Sequence, residues 1–198
     1  MDAPDTIAAL VAAGLGLASW GFVEYLIHGI LSHRFRTFVS PLHWSHHREP
    51  RAVFTSPVAW VPVAGLLYLL AALLAGPFVG GCFLLGLLAG FAHYERSHWR
   101  FHFRAPRSER ERRLRAHHLA HHFRNPKVYH GVTTRLWDRI FRTLPATWPE
   151  DYAAVTDLPP LQGPSNLAAS WNPRTALAPL RNARVERRAP EEGPGDRR

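Results

Sequence analysis

HWRFHFRAPRSERERRLRAHHLAHH, residues 98–122, carries His98-x3-His102 and then His117-His118-x2-His121-His122. Residues three and four apart on a helix share a face, so His98 and His102 converge, as do His118, His121 and His122. Ser108-x-x-Glu111 reads as a capping box, which predicts a helix starting at Glu109 and delivering the second set in one direction. Such a density of imidazoles at these spacings points to metal. One helix cannot close a metal shell, so the rest of the chain has to supply partners.

The 198 residues suit one domain plus a tail, and the 46% apolar content is concentrated in three blocks: Ile7 to about Ile30, Pro57–Ala75, and Phe78 to about Ala92. At 1.5 Å per residue the second block spans about 28 Å, close to the ~30 Å hydrocarbon core of a bilayer. The fold class predicted is all-α: an integral membrane bundle of about three transmembrane helices with a cytosolic His-rich helical cap. Residues 1–157 form this membrane domain; residues 158–198, rich in Pro, Arg, Ala and Gly without periodicity, are expected to be disordered. Asp2 and Asp5 precede the first block without a basic n-region or a small-residue cleavage site, so it reads as a retained helix. The lone Cys82 leaves no internal disulfide to form.

The net charge of +9 does not indicate nucleic acid, because the basic residues crowd against the ends of the apolar blocks and no nucleic-acid module is present. Arg34, Arg36, Arg48 and Arg51 separate the first two blocks, and nine arginines lie from Arg96 to Arg124. By the positive-inside rule these loops face the cytoplasm, with the N-terminus and the Gly76-Pro77 turn outside. A composition rich in Ala, Arg and Gly points to a high-GC bacterium, and the membrane expected is then a bacterial inner membrane.

Helix one is expected to start after Asp5 or Thr6 and to end in EYLIHGILSH. His28 and His33, five apart, share a face only if the helix breaks or bulges, with Gly29 the place for it. Glu24, one turn before His28, either orients that ring or sits as a headgroup-level carboxylate. Ser40-Pro41 reads as an N-cap with Pro at N1, opening a short helix with His43-x2-His46-His47. Ser56-Pro57 repeats the device, Gly76-Pro77 stops that helix, Pro62 can kink it, and the third helix returns to end at His98. The chain thus leaves the membrane at His33 and re-emerges at His98 on the same side. Leu136, Trp137, Ile140, Phe141 and Leu144, opposite Arg135, Arg139 and Arg142, predict a basic amphipathic helix lying in the interface or packed on the His-bearing helices.

Four groups therefore meet on one face: His28, His33, His43, His46, His47, His98, His102, His118, His121 and His122, leaving out His93, His117 and His130. Ten nitrogens suit two metal ions of about five ligands each. Spacing does not choose the metal. Zinc acts as a Lewis acid, whereas iron activates O2, and a lipid-facing site favours iron because an alkyl chain offers nothing to polarise. Glu24, Glu95 and Asp138 are the candidate carboxylates behind the ligands.

EYLIHGILSH, HWSHH, YERSHWRFH, HHLAHHFRNP and GVTTRLWDRIFRT together resemble the boxes of the fatty acid hydroxylase and sterol desaturase superfamily of integral-membrane oxygenases, over about residues 20 to 143. The resemblance implies that the ten histidines are the ligands of a dinuclear iron centre on the cytosolic side, with zinc possible as isolated, and that O2 is co-substrate. It implies a membrane lipid as substrate and electrons from a redox partner. With no cytochrome b5 domain in the sequence, that partner is expected to be separate: a cytochrome b5-like protein, or a ferredoxin with its reductase. Three departures stand out. The His33–His43 interval is shorter than in the ceramide-type enzymes, three membrane helices are visible where many relatives have four, and Arg142 stands where the family usually has Gly. Carotenoid hydroxylases share the three-box logic but lack the WD-x2-F-x-T ending.

The function expected is O2-dependent hydroxylation of an acyl, isoprenoid or sterol chain. A desaturase on the same centre is the near alternative. A metal-binding or transport protein, or a haem cytochrome using paired histidines, are the readings from other classes.

Overall fold

The computed structural model of the chain describes residues 3–163, and every regular element among them is helical. Helix α1 (Ala3–Tyr25) passes into a π-helical segment (Leu26–Arg34), followed by α2 (Ser40–Arg48), α3 (Pro57–Ala75), α4 (Pro77–Phe103), α5 (Glu109–Phe123), α6 (Leu136–Ile140) and α7 (Trp148–Thr156). Three runs, Asp5–Arg34, Pro57–Ala75 and Pro77–Phe103, are long and apolar enough to cross a membrane. Their leucines point outward: Leu10, Leu66, Leu73, Leu74 and Leu85 are all more than half exposed. Lipid, unlike water, is a good solvent for such a surface.

Helix α4 is the centre, with α1 and α3 both packed on it. Its contact with α1 is backbone to backbone. A Cβ on Gly16 would lie 2.0 Å from the Phe83 carbonyl oxygen, and one on Gly86 would lie 1.9 Å from that of Ala13. Without a hydrophobic force between helices in lipid, such small-residue contact supplies the association through close van der Waals packing. The α3–α4 hairpin turns at Gly76, whose φ of +84° is open to glycine, with Pro77 starting the return.

Several expected boundaries shift for local reasons. Helix α1 starts at Ala3, ahead of Asp5 and Thr6. Helix α4 continues past His98 to Phe103, since neither Gly nor Pro intervenes before Pro106. Ser40 lies inside α2 rather than capping it. Its hydroxyl accepts from Thr37 N and lies 2.9 and 2.8 Å from the Leu31 and Phe35 carbonyls, tying α2 to the π segment. Ser56 caps α3 by accepting from Val58 N, and Pro62 lies within that helix. Ser108 accepts from Glu111 N as a capping box requires, but the Glu111 carboxylate returns to Arg107 N instead of Ser108 N.

The amphipathic helix expected over residues 136–144 is only Leu136–Ile140. It ends where Arg142 turns left-handed, at φ +58°. Trp137 packs at a tilt on Phe22 and Phe141 stacks on Tyr25 of α1, with centroids 4.7 and 5.1 Å apart, while Leu136 and Ile140 stay half exposed. Helix α7 packs on α5. Residues 158–163 of the expected tail are held in place, Arg115 donating to the Leu158 carbonyl and Leu161 N to that of His102. The disorder expected beyond them falls outside the described residues.

Candidate metal centre

The π segment resolves the five-residue spacing of the first pair. Its hydrogen bonds run i to i+5, as Phe35 N to Ile30 O (3.1 Å) shows, so residues five apart stack as residues four apart do in an α-helix. His28 and His33 thereby face the same way. Gly29 fits because the His130 ring presses on it: a Cβ there would lie 2.6 Å from His130 Cγ. Helix α2 presents His43, His46 and His47, α4 presents His98 and His102, and α5 presents His118, His121 and His122.

The ten histidines sort into two sets of five. His28, His33, His43, His47 and His121 form one; His46, His98, His102, His118 and His122 form the other, with the ligand atoms of each set within 4.8 Å of one another. The π segment serves only the first set and α4 only the second, while α2 and α5 straddle both. His46 and His47, and likewise His121 and His122, are adjacent in sequence but belong to different sets. The stacked rings of His47 and His122, 4.3 Å apart, mark the boundary.

The nitrogen distances suit a metal ion in each set. In the first, Nε2 atoms run His33–His43 (2.8 Å), His43–His47 (2.9 Å), His47–His121 (3.0 Å) and His121–His28 (3.0 Å). An imidazole Nε2 has one in-plane site, either a proton or a lone pair, and enters one good hydrogen bond. His43, His47 and His121 would each need two. Five lone pairs aimed at one cation remove the conflict, and ligands at the ~2.0–2.1 Å of metal–imidazole bonds at right angles stand about 3 Å apart. In the second set His46–His122 (3.1 Å) and His102–His118 (2.9 Å) repeat that separation. The donor set fits two cations.

Burial keeps these lone pairs free of protons. His118 and His121 are at most 1% exposed. Burial, with neighbouring imidazoles adding to it, holds His43, His47, His118, His121 and His122 well below the ordinary histidine range. His46 is pushed down to about 4 by burial, against a hydrogen bond to Ala52 O that favours its charged form.

The three carboxylates bond chiefly to backbone and hydroxyl donors. Glu24 accepts from Val132 N, Thr133 N and Thr133 Oγ1, Glu95 from Thr55 N and Oγ1, and Asp138 from His130 N, Gly131 N and Thr143 Oγ1. None of these bonds reaches one of the ten imidazoles. All three instead satisfy backbone N–H groups of connecting segments that have no helix to pair them. Backbone carbonyls orient the rings where orientation is visible: Ala52 O takes His46 Nδ1 at 3.1 Å and Val128 O takes His121 Nδ1 at 2.8 Å.

Two histidines outside the sequence pattern are also largely buried in this part of the fold. His117 is fully buried between Asp138 Oδ2 (3.0 Å) and the Tyr152 hydroxyl (2.5 Å). His130 packs 5.6 Å from His121 and 5.8 Å from His33, ring centre to ring centre. Their proximity is tertiary, since Asp138 and Tyr152 lie 21 and 35 residues from His117. Its only local signal is position: one residue before His118 on a helix is about 100° away, on the next face. His93 is exposed.

An apolar cavity runs from the histidines down between the helices. Its walls are Trp20, Val23 and Ile27 of α1 and the π segment, Trp60, Val63 and Leu67 of α3, and Leu87, Leu88 and Phe91 of α4. His28, His43, His46 and His98 stand at its head, with Thr55, Ser56 and Tyr94 beside them. Members of both sets reach the same cavity.

The sequence matches the family model described as fatty acid hydroxylase over residues 13–143. It is 37% identical over 145 residues to fatty acid 2-hydroxylase of Homo sapiens, covering 66% of this chain and 38% of that protein. It is 33% identical over 143 residues to the dihydroceramide fatty acyl 2-hydroxylase FAH2 of Arabidopsis thaliana, covering 66% and 59%. The chain thus spans less than two thirds of the length of these relatives. The solved structure of full-length scs7p, with only the hydroxylase domain visible, superposes at a TM-score of 0.63 with 25% identity, covering 80% of this chain and 64% of that one.

Proposed function

We propose, from the premise that the chain belongs to the fatty acid hydroxylase family, that it is a membrane-bound lipid hydroxylase whose ten clustered histidines hold two metal ions and whose apolar cavity holds an acyl chain. The observation that carries this reading is the placement of both five-nitrogen sets at the head of a cavity walled by the membrane helices. Two iron ions bound there would supply O2 activation and attack on an unactivated C–H bond.

The chain's own residues do the rest. Trp20, Val23, Ile27, Val63, Leu67 and Phe91 desolvate an alkyl chain and exclude water from the reacting carbon. The neutral, buried imidazoles present lone pairs rather than N–H groups to the metals. Ser56 and Tyr94, at the head, are the polar groups available to an acyl carbonyl, the Thr55 hydroxyl being committed to Glu95, and this would leave the carbons next to that carbonyl under His43, His46 and His98. The relatives named as 2-hydroxylases act at such a position, and the same carbon is proposed here.

Hydroxylation puts one oxygen atom into the C–H bond and releases the other as water, consuming two electrons and two protons. A separate donor, cytochrome b5-like or a ferredoxin with its reductase, would deliver the electrons on the His-rich face, placed here on the cytoplasmic side. Mass spectrometry of lipids from cells expressing the intact chain or His118→Ala, supplied with iron and a reductase system, tests the proposal. A lipid gaining one oxygen only with the intact chain is expected. Loss of two hydrogens would make the protein a desaturase, and identical lipids with both chains would sink the reading.

A further inference from the structure

The face of α4 turned away from the metal centre carries a second, polar concavity. Phe91, Tyr94 and His98 of α4 line the apolar cavity, whereas His93, Arg96, Ser97 and Arg100, at helical spacing on the other side, line a concavity of about 260 Å³ closed by the start of α5 and by Thr133. Arg107 and Arg110 complete it, so four guanidinium groups surround it, with Glu111 the single acid in its wall.

That acid is already committed. Glu111 pairs with Arg100, Nη2 to Oε1 at 2.6 Å, and accepts from the backbone N–H of Arg107 at 2.7 Å. Arg100 is nine-tenths buried and rigidly placed by this contact. No described carboxylate forms an ion pair with the side chains of Arg96, Arg107 or Arg110. The other acid of the first α5 turn, Glu109, pairs outward with Arg112 and Arg113. Four guanidinium groups face one carboxylate around the hollow, and an anion that accepts from several of them at once is favoured there.

The level in the membrane narrows the ligand. The apolar run of α4 ends near Ala92, so Arg96 and Arg100 sit where the helix leaves the hydrocarbon. Basic pockets against transmembrane helices at this depth take phosphorylated headgroups. We propose that the hollow between the outer face of α4 and the start of α5 binds a phosphate group, carried by an anionic phospholipid or present as the free ion. The site is separate from the histidine centre and independent of the reaction proposed there.

The full chain, in nanodiscs of phosphatidylcholine alone, of phosphatidylcholine with phosphatidic acid, or of phosphatidylcholine with inorganic phosphate in the buffer, provides the test. Native mass spectrometry counts retained lipid and thermal unfolding reads the free ion against chloride of equal ionic strength. Removing three basic contacts in R96Q/R107Q/R110Q is expected to weaken phosphatidic acid retention on the order of a hundredfold. The charge-matched control R104Q/R112Q/R113Q is expected to behave as the intact chain. Stabilisation by inorganic phosphate in pure phosphatidylcholine, lost in the triple variant, would support the site with the free ion as ligand. Equal behaviour of triple variant and control in both arms overturns the proposal. So does capture of an acidic soluble protein by the intact chain without preference among lipids or for phosphate. Metal content checks that the variants fold; R107Q/R110Q, altered only at exposed positions outside α4, repeats the comparison if the triple variant loses metal.

Discussion

His117 and His118 are neighbours with different tasks, and the difference is the angle between them. His118 points at His102 and His122, whereas His117, about 100° around α5, is held by Asp138 and Tyr152. Replacing His118 with Ala is expected to lower the metal bound to the second set, read as metal per chain after purification. His117→Ala is expected to keep both metals but to lose about 2 kcal/mol of stability, because it removes a hydrogen bond from the buried Asp138 carboxylate. Equal metal loss in the two variants would remove the distinction. Arg142 holds φ +58°, a conformation costing an L-residue about 1–2 kcal/mol, of which glycine's greater unfolded entropy takes back about 0.5–1. Arg142→Gly should therefore raise stability by about 0.5–1 kcal/mol in thermal unfolding, with metal content unchanged.

The elements divide the work between span and site. The π segment converts a five-residue spacing into a shared face, and α2 and α5 each feed both sets, so a small rotation of either would disturb both sets at once. Helix α5 is fixed at its start by Glu111. Burial pushes the Glu111 carboxyl up, but the bonds from Arg107 N–H and the Arg100 guanidinium outweigh it, and it titrates below the ordinary glutamate range. A depressed folded pKa gives stability that is present above the unfolded value and lost as pH falls through the folded one. The intact chain should lose about 1 kcal/mol more than Glu111→Gln between about pH 5 and pH 3, measured by unfolding at a series of pH values. Parallel curves would show that the pair contributes nothing.

At the scale of the whole molecule, two separate helical runs and a hairpin bring four distant segments to one end of a bundle. If the Arg-rich loops are cytoplasmic, a cysteine at Asn125 should react with an impermeant maleimide only after the cells are opened. A cysteine at Ala75, beside the Gly76 turn, should react in intact cells. The reverse pattern would invert the orientation argued from charge.

The amino-acid order by itself determined the three apolar blocks, the Gly76-Pro77 turn, the helix start at Glu109 and the ten histidines, because each is a local matter of hydropathy, backbone freedom or spacing along one element. It also pointed to a bulge near Gly29, since five residues do not make an α-helical turn. Local spacing did not carry the division into two sets of five, which depends on how α2 and α5 are rotated against the π segment and α4. Nor did it carry the partners of Glu24, Glu95 and Asp138. Those acids look like ligand-orienting groups from their distance to histidines in sequence, yet their bonds go to segments such as residues 130–133, which have unpaired N–H groups and no helix to satisfy them. Only the packed chain brings those N–H groups to the acids, because a carboxylate taken out of water binds whichever donors the tertiary fold leaves unsatisfied beside it.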